Sequence, residues 1–70
     1  MQEIATVTFT DADSKDDAVA IVRATKGIVG FAVSLKEDGD FEVFMSTKDC
    51  RAIVSELQRA IGFADSSEGD

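Results

Sequence analysis

Apolar residues occupy every second position from Val29 to Leu35 and again from Phe41 to Met45, and the polar run Lys36-Glu37-Asp38-Gly39-Asp40 lies between them. A period of two sends alternate side chains to opposite faces of a strand, so the two runs read as the arms of a hairpin with one apolar face. Parity then constrains the turn. A two-residue Asp38-Gly39 turn would set Leu35 opposite Glu42 and mix the faces, so the loop must hold an odd number of residues. The spacing predicts a three-residue loop, Glu37-Asp38-Gly39, with Gly39 in the left-handed region. That loop pairs Leu35 with Phe41, Val33 with Val43 and Phe31 with Met45.

Glu3 to Thr10 alternates in the same way, with Ala5, Val7 and Phe9 on one side and Ile4, Thr6, Thr8 and Thr10 on the other. Between this strand and the hairpin the pattern predicts a helix over 14–26. Ser14 with Asp17 approximates a capping box, Asp16 and Asp17 suit the first turn, Arg23 and Lys26 the last, and Gly27 the stop. Its apolar face is Ala18, Val19, Ile21 and Val22. A second helix follows the hairpin: Cys50, Ile53, Val54, Leu57, Ala60 and Ile61 recur at helical spacing, capped by Ser46 or Thr47 and ended by Gly62, with Phe63 folding back on the last turn. One core follows, built from Ala5, Val7, Phe9, Val19, Val22, Phe31, Val33, Val43, Met45, Ile53, Val54 and Leu57.

The fold class expected is therefore α+β, a single β-α-β-β-α domain over 1–64 with a flexible acidic tail at 65–70. A right-handed helical crossover makes the first two strands parallel, and the third fits between them in spatial order 1-3-2 with both helices on one face. This arrangement resembles a ferredoxin-like fold that lacks its last strand. The likeness is architectural, covers 3–62 and implies no activity.

With 70 residues and 44% apolar content the chain can fold as one domain, and such a length buries only about 60% of its unfolded surface. No apolar run is long enough for a bilayer, and no charged, apolar leader opens the chain, so a cytoplasmic location is expected. The lone cysteine, Cys50, suits a reducing compartment. A formal net charge of −7 opposes direct binding to nucleic-acid phosphates or anionic membranes.

No catalytic motif is present, and the chain has no histidine. An enzyme is not expected, nor a cofactor. Cys50 lies near a helix start beside Lys48 and Arg51, a setting that can activate a thiol, yet it also opens the apolar stripe and reads as structural. The stretch from Asp11 lacks the glycine and glutamate of a calcium loop, so no metal site is expected.

Two surfaces remain as candidates for partners. The reverse face of the sheet carries small residues and threonines around one large aromatic, and the candidate contact residues there are Phe44, Ala32, Gly30, Thr6 and Thr8. Ten of the 14 acidic residues lie in 11–17, 37–40 and 65–70. The expected topology brings these three segments to one end, an acidic pole whose candidate residues are Asp11, Asp13, Asp16, Asp17, Glu37, Asp38 and Asp40. The function expected is a small acidic, non-catalytic interaction module that forms a homodimer and binds a further, basic protein through the sheet face or the pole. The alternative is an acidic inhibitor, of the kind mobile elements encode, whose carboxylates imitate phosphates in a basic nucleic-acid-binding groove.

Overall fold

The computed structural model of the chain describes residues 1–36 and 39–68. Four strands and one helix follow in order: β1 (Gln2–Thr10), β2 (Asp17–Thr25), β3 (Ile28–Leu35), β4 (Gly39–Ser46) and α1 (Thr47–Glu68). The strands form one antiparallel meander, β1-β2-β3-β4, each paired with its sequence neighbours. This overturns the three-stranded 1-3-2 sheet with two helices and, with it, the likeness to a ferredoxin-like fold.

The segment assigned to a first helix is β2. Val19, Ile21, Val22 and Thr25 are β-branched, which stiffens χ1 against a helical turn and favours a pleated surface. The stripe Ala18, Val19, Ile21 and Val22 contains neighbours in sequence, so it fits a strand apolar on both faces as well as a helix. Turn chemistry decides between them. Lys26 and Gly27 (φ 78°) close a two-residue hairpin that pairs Thr25 with Ile28. At the other end Asp11 builds a loop instead of leading into a helix. Its Oδ2 accepts the Ser14 amide at 2.8 Å and the Ser14 hydroxyl at 2.7 Å. The Asp11 carbonyl accepts the amide of Lys15, which sits at φ 69°.

The β3–β4 hairpin keeps the expected parity but slips by two residues. Leu35 pairs with Gly39, Val33 with Phe41, Phe31 with Val43 and Val29 with Met45. Three residues, 36 to 38, then lie between the paired ends, and Gly39 has φ 83°. A two-residue slip leaves every side chain on its own face, so the alternation could not exclude it.

One face of the sheet is apolar apart from Gln2 at the start of β1: Ala5, Val7 and Phe9 of β1, Ala18, Ala20, Val22 and Ala24 of β2, Val29, Phe31, Val33 and Leu35 of β3, and Phe41, Val43 and Met45 of β4. Val19 points to the other face, which removes it from the expected core. α1 starts directly from β4, capped by Ser46, whose Oγ accepts the Asp49 amide at 3.1 Å. It touches only β3 and β4. The helix does not stop at Gly62 but continues to Glu68.

The single chain closes no core. Among the described residues Ala18 is the one buried hydrophobic side chain, whereas Val7, Phe9, Val43, Ile53, Val54 and Leu57 of the expected core are each more than two-fifths exposed. The accessible surface is 5516 Å², against about 4,200 Å² for a compact monomer of this mass. The radius of gyration is 14.0 Å, against about 11 Å for a compact 70-residue domain.

Candidate functional site

The apolar face and the α1 stripe together form the largest feature available for recognition. Strand register sets the face, because directly opposed residues in an antiparallel pair share a side. Phe41 is 61% exposed at its outer edge, and Val7 is 52% exposed on the opposite edge strand. α1 meets this face only near its start, where Cys50, Arg51 and Val54 border a shallow depression beside Val29. Farther along, Leu57 and Ile61 present their side chains to solvent, 58% and 59% exposed. Helical geometry places Cys50, Ile53, Val54, Leu57, Ile61 and Ala64 on one stripe about 21 Å long. Phe63 lies on the opposite side of the helix, 72% exposed.

The reverse face carries Phe44, Ala32, Gly30, Thr6 and Thr8 on one side of the sheet, in two groups separated by β2. Phe44 pairs with Gly30, not Ala32. A methyl group added at Gly30 would meet the Phe44 ring at 3.2 Å and the end of Met1 at 3.3 Å, so the aromatic ring roofs the glycine. Ala32 pairs with Glu42, whose carboxylate bonds the guanidinium of Arg23 on β2, across the intervening β3. The small residue at 30 has a structural role, and the half-exposed ion pair contributes little stability. Thr6 and Thr8 sit on β1 beyond Ile21 and Val19. The Arg23–Glu42 bridge was not legible as a pair, since its partners sit on strands that are not neighbours.

The meander brings two of the acidic segments together, with Asp11, Asp13, Asp16, Asp17 and Asp40 at the loop end opposite the start of α1. The Lys36 amide, donating to the Asp17 carbonyl, ties the two loops. Glu37 and Asp38 lie outside the described residues. Of the third segment, 65–68 form the end of α1, which begins at the far end of the sheet, and 69–70 lie outside the described residues. Within the pole Asp11 builds its own turn. Donation from the Ser14 backbone amide, then from its hydroxyl, holds the Asp11 carboxyl below its ordinary value of 3.8.

Among the described residues no group of three or more acidic or cysteine side chains is placed to hold a metal ion. No helix among them is long and apolar enough to cross a membrane. Cys50 is half-buried against Val29 as the first residue of the stripe, the position of a packing residue. No family model matches the chain, and no curated protein or solved structure is detectably similar to it.

Proposed function

We propose that this chain is a small, acidic, non-catalytic interaction module that works as a homodimer joined through its apolar sheet face and α1. One observation carries the reading: a continuous apolar face and an apolar stripe of about four turns that the single chain leaves uncovered. Exposed apolar surface on this scale marks an interface. The surplus over a compact monomer, about 1,300 Å² per chain, gives about 2,600 Å² for a pair, within the range of obligate homodimers. The contact therefore involves a different sheet face from the one around Phe44, which remains available for a further partner. Sedimentation equilibrium over micromolar concentrations tests the reading. A dimer mass is expected, and a cooperatively folded monomer would refute it.

A further inference from the structure

We infer that the two copies exchange helices, so that α1 of each chain lies on the apolar sheet face of the other. The inference rests on the homodimer reading and specifies its geometry.

The connection between β4 and α1 is tight. Ser46 ends β4 and Thr47 begins α1, with no residue between them. Folding a helix back over its own sheet takes a connection of several residues. Ser46 is instead committed as the cap of α1. The helix therefore meets its own sheet only at β3 and β4, beside Val29, and cannot reach Val7 or Phe9 on β1.

The two orphan surfaces also match. The stripe from Cys50 to Ala64 is about 21 Å long, and strands of 8 or 9 residues run about 26–30 Å. A two-fold axis near the start of α1 satisfies both stripes and both faces at once, so the assembly closes as a dimer instead of growing into a filament. Electrostatics favours the same arrangement. Each chain carries −7, and exchange at the α1 end of the sheet sends the two acidic loop ends to opposite poles. A face-to-face pairing with parallel strands would bring them together at a repulsive cost.

The test uses the native sequence. Chains labelled with carbon-13 are mixed with unlabelled chains, dissociated and reassociated, and isotope-filtered nuclear Overhauser spectra are recorded. Contacts between chains are expected from the Leu57 and Ile61 methyl groups to Val7 and Phe9. If those contacts occur only within one chain, or if the contacts between chains are solely sheet to sheet, helix exchange is overturned while the homodimer stands. A parent chain that sediments as a monomer overturns both. A complementation experiment adds a second readout. Val7→Asp breaks a sheet face and Leu57→Asp breaks a helix, so each variant alone should be monomeric, whereas an equimolar mixture retains one intact helix-on-sheet contact and should recover heterodimer. Failure to recover it, with the parent dimeric, counts against exchange.

Discussion

Leu57→Ala separates an exposed helix from an exchanged one. In the single chain Leu57 is 58% exposed. Truncation of a residue so placed typically changes stability by no more than about 0.5 kcal/mol, and alanine keeps the helix propensity high. Under a partner's sheet the same residue becomes a core leucine. Removing a buried leucine side chain costs about 2–5 kcal/mol, and a two-fold dimer contains the site twice. Taking the low end for both copies gives about 4 kcal/mol, or roughly a thousandfold in the dimer dissociation constant. Sedimentation equilibrium reads this directly, and the melting temperature of the variant should depend on concentration more steeply in the accessible range. Phe63→Ala is the matched control, because Phe63 lies on the opposite side of α1 and is still more exposed. It should leave the constant within about threefold, as expected of a surface change. A Leu57→Ala constant equally close to the parent's would refute the burial of the stripe.

Gly39→Ala should destabilise by about 1 kcal/mol through its left-handed backbone alone, since an added methyl meets nothing within 4 Å; chemical denaturation with an unchanged slope would register it. Gly62→Ala should do the reverse and stabilise by about 0.5–1 kcal/mol, because Gly62 lies inside α1 with open space around it, and an unchanged or lower midpoint would contradict the helix beyond residue 62. The lowered pKa of Asp11 means that its contribution to folding is present above the ordinary carboxyl value of 3.8 and is lost as pH falls through the lowered one. The melting difference between the parent and Asp11→Asn should therefore be present at neutral pH and vanish on acidification. Salt should tighten the dimer, since screening relieves repulsion between two chains of −7 while the apolar contact is unaffected or strengthened; weakening between 0.1 and 1 M would point to a contact made by charges.

The hairpin of β3 and β4 was legible because side-chain alternation has only two solutions, and one of them mixes Glu42 with Leu35. The remaining slip of two residues preserves both faces, and Gly39 takes a positive φ in the expected register and in the observed one alike, so neither signal tells the two apart. β2 was misread because its acids and basic residues stand where a helix would want them, while the same Asp11 and Ser14 can build a turn. The meander needs only short connections, 11–16, Lys26-Gly27 and 36–38, and Gly27 serves a hairpin as well as a helix stop. Past Gly62 the helix continues because Ala64 extends the stripe, three residues after Ile61, and no proline interrupts it. Of the candidate residues, Phe44, Gly30 and Ala32 do come together, but as a glycine roofed by an aromatic and an alanine spanned by an ion pair. The acidic loops meet at one end because they follow β1 and β3, which point the same way.

The apolar face itself was visible in the alternation of Val29, Phe31, Val33 and Leu35, yet its use was not, because a sequence records which side of a strand is apolar and not which chain covers it. Reading 14–26 as a helix supplied a cover that the molecule does not have. With that segment in the sheet, the chain provides one complete layer and a single helix joined too tightly to fold back, whereas a stable domain needs two packed layers. On the proposed reading the second layer comes from another molecule. A second copy supplies it with the least additional requirement, since the apolar sheet face and the α1 stripe left open on one molecule have their complements, α1 for the sheet and the sheet for α1, on an identical one. The fit also explains the absence of a loop after Ser46: a longer connection would let the helix close on its own sheet and would remove the reason to associate.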